Sequence, residues 1–308
     1  MSDLWDPVSP VDWTTNPSNS PTYTCNGEKM LGGYGNFGSG AYAYKTYTGL
    51  PPHYEAMIKM RIFQLDSWDT EYLYIKVDGT IVDSYSNKVN SPGQVNVCGN
   101  DSWTDYMTNI VTPAFTHTAD SLLLYLNSNL NEVAINENFG FKNIDIVLTL
   151  CHGSCAACAD GTNTNCSACN SGWYLYGTTC DTTCPVGYYK HSGTNTCKPC
   201  HSSATSPYSC YTCDGGNSNN CLSCYAYYYL YVGQCVSYCP AVGYYISGWT
   251  CQACHSTCKT CTGGTASSCT SCNTNRYLHP NTGGQCLSSC PTNFYAERAT
   301  WTCEPCFS

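Results

Sequence analysis

The feature that most limits what this chain can fold into is its sulfur. Of 308 residues, 27 are cysteine, a density in the range of disulfide scaffolds. Their placement says more than their number. Residues 1–150 carry only Cys25 and Cys98, and residues 151–308 carry the other 25. The phrase CPVGYYKHSGTNTCKPC at 184–200 returns as CPAVGYYISGWTCQAC at 239–254 and as CPTNFYAERATWTCEPC at 290–306. Such self-similarity marks an internal repeat. With each unit started at a Cys-His pair, the first runs Cys151, Cys155, Cys158, Cys166, Cys169, Cys180, Cys184, Cys197. The second runs Cys200, Cys210, Cys213, Cys221, Cys224, Cys235, Cys239, Cys251. The third runs Cys254, Cys258, Cys261, Cys269, Cys272, Cys286, Cys290, Cys303. Spacings of the type CxxC-x7-CxxC and C-x3-C-P recur in all three, and the large change is an insertion between Cys200 and Cys210.

Two chemistries compete for these cysteines. CxxC-x7-CxxC holds four thiolates, enough for a tetrahedral zinc site. Yet the intervening stretch is short for a zinc ribbon, and the remaining cysteines of each unit would need a second ion. The histidines directly after Cys151, Cys200 and Cys254 are badly placed as ligands. Structural disulfides are the favoured reading. They require an oxidising compartment, so an extracellular or cell-surface location is expected. Each unit is too short for a hydrophobic core to hold it alone, and short-loop disulfides stabilise by roughly 3 kcal/mol each. The aromatic clusters Tyr188-Tyr189, Tyr225 to Tyr231, Tyr244-Tyr245 and Phe294-Tyr295 are then expected to cover the bridges. Contacts between neighbours alone make a rod.

Spacing, the Cys-His pair and the Cys-Pro-x-x-Tyr element together resemble furin-like repeats, the modules of growth-factor-receptor cysteine-rich regions. The resemblance covers about half of the chain. It implies pairing of first with third, second with fourth, fifth with sixth and seventh with eighth cysteine, one choice among about a hundred. For the first unit this means Cys151–Cys158, Cys155–Cys166, Cys169–Cys180 and Cys184–Cys197. For the second it means Cys200–Cys213, Cys210–Cys221, Cys224–Cys235 and Cys239–Cys251. For the third it means Cys254–Cys261, Cys258–Cys269, Cys272–Cys286 and Cys290–Cys303. Cys306 occupies the position of Cys200 and Cys254. It is either the first cysteine of a longer array or a thiol that pairs with another chain.

The first 150 residues read as strands. AMIKMRIFQL at 56–65 alternates apolar and polar, and EYLYIKVDGTIVDSY at 71–85 is a hairpin around Asp78-Gly79. SLLLYLNS and FGFKNIDIVLTL supply two more, and no stretch has a convincing helical period. The expected fold is an all-β sandwich, jelly-roll-like, followed by a repeat rod with little regular secondary structure. Cys25 and Cys98 are expected to pair. Gly33, Gly35 and Gly38 formally match a dinucleotide fingerprint, but a strand-like AYAYKTY follows where a helix is needed. The expected domains are 1–150, repeats at 151–199, 200–253 and 254–305, and a truncated fourth unit at 306–308.

The best candidate site is LDSWDTEY with NENFGFKN. Asp66, Asp69, Glu71, Glu137 and Asn138 offer carboxylate and amide oxygens at strand ends, a donor set suited to Ca²⁺. The alternative is a solvated acidic turn. LDSWDTEYLYIKVDG and NENFGFKNIDIVL together resemble the amino-terminal domains of ciliate surface proteins that carry furin-like repeats, and more distantly lectin-type jelly rolls. The resemblance defines no sugar site. Asn100-Asp101-Ser102 is a candidate N-glycosylation sequon, and Asn165-Cys166-Ser167 matches only formally.

Charge excludes some partners. Residues 1–150 hold 16 acidic and 7 basic side chains, while residues 151–308 hold 5 of each. No basic stripe exists for nucleic acid, and no apolar run reaches the length of a membrane span. MSDLWDPVSP lacks the basic start and apolar core of a secretory signal, so a processed or partial chain is expected. His53 and His117, the two histidines of the first half, lie near no serine or cysteine motif. Asp66 and Asp69 are a carboxylate pair of the type that does acid–base work, but a non-enzymatic module is expected. Two functions remain: a subunit that self-associates into an extracellular coat or filament, and a lectin-like head on a stalk that binds glycans.

Overall fold

The protein is described from a computed structural model over residues 2–6, 12–18, 21–86, 95–100, 102–201 and 210–306. The insertion after Cys200, Asp101 of the sequon, residues 307–308 of the fourth unit and much of the stretch searched for a signal lie outside the described residues. The chain forms two compact units, one of Met1–Asn170 with Gly177–Cys180 and one of Ser171–Tyr176 with Asp181–Ser308. Among the described residues there is no α-helix, and Pro280–Thr282 form a 3-10 turn.

The first unit is built on a sandwich of twelve strands: β1 (Ser2–Asp6), β2 (Thr14–Asn16), β3 (Thr22–Cys25), β4 (Glu28–Gly32), β5 (Tyr42–Thr48), β6 (His53–Asp66), β7 (Tyr72–Val77), β8 (Thr80–Ser86), β9 (Tyr106–Val111), β10 (Phe115–Thr116), β11 (Ser121–Ser128) and β12 (Glu137–Leu150). One sheet runs β10-β6-β12-β4-β3, with β9 on β6 and β1 on β12; the other runs β2-β5-β11-β7-β8. All pairings are antiparallel. Period-two alternation sends one face of each strand inward. Ala56, Ile58, Met60 and Ile62 of β6, Phe139, Phe141 and Ile146 of β12, Leu73 and Ile75 of β7, and Leu122, Leu124 and Leu126 of β11 form the core. The β7–β8 turn carries Asp78 at φ 49° and Gly79 at φ 83°, the left-handed pair that a tight hairpin requires. A second, smaller cluster holds Met30, Phe63 and Leu65 with the Cys25–Cys98 bridge. This is why the last residues of β6 are buried on both faces, where a clean alternation would leave half exposed.

The first unit also takes in the hairpin Cys155–Cys158 with Cys166–Cys169. The N–H of Cys151 donates to Pro52 O at 3.0 Å. His152 Nδ1 accepts the N–H of Ser154 and meets its hydroxyl at 2.8 Å, and Asn170 donates back to Gly153 O and Cys155 O. His255, Thr257 and Asn273 repeat this arrangement in the third repeat. The Cys-His pair is thus a local cap.

The repeats are richer in structure than the sequence led us to expect. Both CxxC segments of each CxxC-x7-CxxC are short strands, and in the second and third repeats a two-stranded hairpin precedes a four-stranded sheet. Three- and four-residue strands show no periodicity, so the sequence could not display them. The sheets join by one parallel and two antiparallel pairings. Thirteen disulfides close the described chain: Cys25–Cys98 in the sandwich, and in each repeat first to third, second to fourth, fifth to sixth and seventh to eighth. Inside the second unit, backbone bonds from Gly187 to Tyr211 O and from Gly243 to Lys259 O tie one repeat to the next. Tyr176–Tyr188 and Tyr231–Tyr244 meet edge to face. Other rings do not cover bridges: Tyr227 and Tyr238 are 84% and 83% exposed.

Candidate functional site

The sequence directs attention to the loop end of the sandwich, where β6 runs into β7 and a loop enters β12. Asp69, Glu71 and Glu137 converge there, with carboxylate oxygens within 4.8 Å of one another. Glu71 and Glu137 are buried, and Asp69 is exposed. Burial pushes Glu71 up, but N–H groups of Asp69 and Thr70, 2.9 and 3.0 Å from its Oε2, hold it below the usual carboxylate range. Glu137 is raised, first by burial and then by the charge of Glu71, although Asn131 and Glu132 each donate an N–H to its Oε2. Asn131 Nδ2 donates to Glu71 Oε1 at 3.2 Å, so one loop grips both acids. Asp69 and Glu137 line a cavity of about 340 Å³ with Ser67, Trp103, Asn131 and Asn136. Trp103 was absent from the sequence candidates because the loop carrying it has no periodic signal, and the sequon at 100–102 points to no ligand pocket.

Two expected donors stand elsewhere. Asp66 pairs with Glu137 in the β6–β12 register, and paired residues ordinarily share a face. Asp66 has φ 69°, which turns its side chain away. Its Oδ1 accepts Asn100 N–H at 2.7 Å and its Oδ2 accepts Asn138 Nδ2 at 2.9 Å. Asp66 is therefore occupied by Asn138 and Asn100, and the metal-ligand set expected from sequence reduces to Asp69, Glu71 and Glu137. A Cβ on Gly99 would lie 2.4 Å from Asp66 Oδ2, so glycine is required for this approach. Asp105 completes the arrangement, accepting from Val97, Cys98 and Asp66 backbone N–H groups. Burial raises Asp66 to about 6 and raises Asp105 as well. Both acids hold the loop that carries Cys98. The same loop holds Asn100, half-buried, with its Oδ1 accepting the N–H of Ser102.

His53 and His117, unremarkable in sequence, meet in the fold. Their Nε2 and Nδ1 lie 2.7 Å apart, both rings are buried, and His117 Nε2 is 3.1 Å from Asp78 Oδ2. His53 Nδ1 donates to Pro51 O at 2.7 Å, since a carbonyl can only accept. Burial lowers the His53 pKa. This chain of groups links the seven-stranded sheet to the β7–β8 turn of the other. The sulfur cluster of Cys155, Cys166 and Cys180 is fully bridged.

No family model matches the chain. It is 34% identical over 163 residues to "Furin-like protease 2" of Drosophila melanogaster, which covers 51% of this chain and 9% of that protein. It is 32% identical over 146 residues to "Cysteine repeat modular protein 1" of Tetrahymena thermophila, covering 47% of this chain and 5% of that protein. The chain thus spans less than a tenth of the length of these curated relatives, and it is similar to furin-like, cysteine-rich repeat proteins. Among solved structures, the C-terminal CBM6 of a laminarinase from Zobellia galactanivorans overlaps 47% of this chain and 99% of its own at 14% identity and TM-score 0.29. A carbohydrate-binding module CBM36 in complex with calcium and xylotriose overlaps 48% and 100% at 9% identity and TM-score 0.28. No ligand residue is transferred from either.

Proposed function

We propose that this chain is an extracellular binding module without catalytic activity, a β-sandwich head that takes a glycan, carried on disulfide-stapled repeats. The observation that supports it is the buried pair Glu71 and Glu137, at 2% and 3% exposure, beside Asp69, where Asp69 and Glu137 line one cavity with Trp103. Two charges this close repel by roughly 3 kcal/mol at an effective dielectric of about 20. A hard divalent cation relieves that repulsion, and three carboxylates with neighbouring amide oxygens suit Ca²⁺. Calcium would be held by Asp69, Glu71 and Glu137, where it supplies a charged anchor for ligand hydroxyls. Trp103 offers an apolar face and Asn131 and Asn136 offer amides, the mixed lining typical of small-ligand sites.

The test is calcium titration of the full chain followed by thermal melting. Calcium at about a hundred times its Kd stabilises by roughly 2.7 kcal/mol, and the head should gain that stability while the repeats do not. Glu137→Gln should abolish the gain and any calcium-dependent retention on a glycan array. An unchanged head melting point with and without EDTA would remove the site.

A second reading, a subunit of a surface coat or filament, is favoured by the second repeat, where Tyr227, Tyr238 and Trp249 stand 84%, 83% and 60% exposed. Sedimentation of the purified chain decides between them: concentration-dependent assembly lost in Tyr238→Ser supports the coat, and a monomer at all concentrations supports the binding head.

A further inference from the structure

The outer face of the five-stranded sheet carries an unusual row of side chains. In YAYKTYT, YLYIKV and SLLLYLNS, one side of each strand buries Ala43, Leu73, Ile75, Leu124 and Leu126. The other side presents Tyr42 and Tyr44 from β5, Tyr72, Tyr74 and Lys76 from β7, and Tyr125 and Asn127 from β11. An antiparallel sheet facing water ordinarily shows polar residues on that side. The sheet order sets β11 between the other two, and the register aligns two rows, Tyr44-Tyr125-Lys76 and Tyr42-Asn127-Tyr74. Tyr125 lies 5.5 Å from Tyr42 and 6.0 Å from Tyr44, ring centroid to centroid, with interplanar angles of 23° and 13°. Tyr72 and Tyr74 are 6.2 Å apart at 18°. The rings of β5 and β11 form one near-parallel set, and those of β7 a second beside it in the sheet.

Two polar groups on this face lack a partner. Lys76 Nζ lies 5.7 Å from the Tyr125 centroid and 5.9 Å from that of Tyr74, and among the described residues it makes no ion pair. The lysines and arginine that do pair, Lys45, Lys59, Arg61 and Lys142, are tied to Asp12, Asp145 and Glu28. The Asn127 carbonyl oxygen, between Tyr42 and Tyr74, is buried without a hydrogen-bond donor. In a half-chain with 16 acidic and 7 basic residues, an unpaired ammonium among tyrosines is complementary to an anion from outside.

We propose that this face binds an anionic polysaccharide, with pyranose rings laid on the tyrosines and a sugar carboxylate on Lys76. Flat amphipathic rings cover the C–H faces of a sugar while their hydroxyls reach its oxygens. The lysine adds a charge-assisted hydrogen bond. The proposal rests on the head being a glycan-binding domain and adds a second site, distinct from the carboxylate cavity and independent of calcium.

The experiment is affinity electrophoresis of the full chain through polygalacturonate and through neutral xylan, both in EDTA, so that the calcium cavity contributes nothing. The wild type should be retarded more by the acidic polymer. Lys76→Gln should cut that preference about tenfold, the effect of losing roughly 1.4 kcal/mol, and leave xylan retardation unchanged. Tyr125→Ala should weaken both, with circular dichroism confirming the fold. No retardation of the wild type in EDTA, or equal retardation in all three proteins, would overturn the proposal. Loss of self-association in Tyr125→Ala, with no polymer bound, would overturn it by assigning the face to a second copy. If calcium restores retardation that Glu137→Gln removes and Lys76→Gln does not, the face fails while the calcium cavity stands.

Discussion

The sandwich and the repeats solve one physical problem with different materials. The sandwich buries Ile58, Ile62, Phe139, Phe141, Ile75 and Leu124 between two sheets, and a single bridge serves its smaller second cluster. The repeats bury sulfur: Cys210, Cys221 and Cys235 in the second and Cys258, Cys269 and Cys286 in the third, with Leu230 and Leu278 packed alongside. Their bridges close loops of 7 to 14 residues. Hydrocarbon stabilises the folded state by leaving water, whereas a disulfide acts mainly on the unfolded chain. The two halves should therefore respond to different insults.

Reduction should separate them most sharply. Each short-loop bridge contributes roughly 3 kcal/mol in the chain-entropy account, and a repeat has four. With dithiothreitol, backbone amides of the second and third repeats should exchange like those of an unfolded chain. The sandwich loses only Cys25–Cys98, worth about 4 kcal/mol by the same account, and β6 and β12 should stay protected. Hydrogen exchange read by mass spectrometry checks both. Simultaneous collapse would mean that the sandwich depends on its bridge as much as the repeats do on theirs.

Core truncation should give the reverse pattern with a smaller effect. Ile62→Ala or Phe141→Ala, both fully buried, should cost about 2–5 kcal/mol. Leu230→Ala, only partly buried against cysteines, should cost about 1 kcal/mol, because little hydrocarbon leaves water there. Urea titrations of the three variants would show it, and equal losses would erase the distinction drawn between the two cores.

The same contrast explains what the sequence displayed. Cysteine spacing is explicit in one dimension, and the alternation of AMIKMRIFQL and the Asp78-Gly79 turn announce strands and a hairpin. Groups that meet through sheet order leave no such trace. Tyr125 joins Tyr44 and Lys76 only because β11 lies between β5 and β7, and His53 meets His117 across 64 residues. The carboxylate site was legible as a neighbourhood but not as a ligand set. Asp66 looks like Asp69 in sequence, and only its backbone φ of 69° sends it to Asn138.

That distinction gives the most specific of these effects. Burial raises Asp66 to about 6, from 3.8. A carboxyl raised on folding contributes stability while it is protonated and loses it as pH rises through the folded value, so the buried charge costs roughly 2–3 kcal/mol above pH 6. Asp66→Asn removes that charge. Its amide also supplies the donor for Asn138 Oδ1, which is buried without a partner, once Asn138 rotates. Near pH 3, below the unfolded value, the variant and wild type should have similar urea midpoints; at pH 7.5 the variant should be the more stable. His53 acts in the opposite sense, since burial lowers its pKa from 6.5 and its contribution disappears as pH falls. His53 is common to both proteins and cancels in the difference between them. A variant less stable than wild type at pH 7.5 would mean that the charge of Asp66 is needed, and that it belongs with Asp69, Glu71 and Glu137 after all.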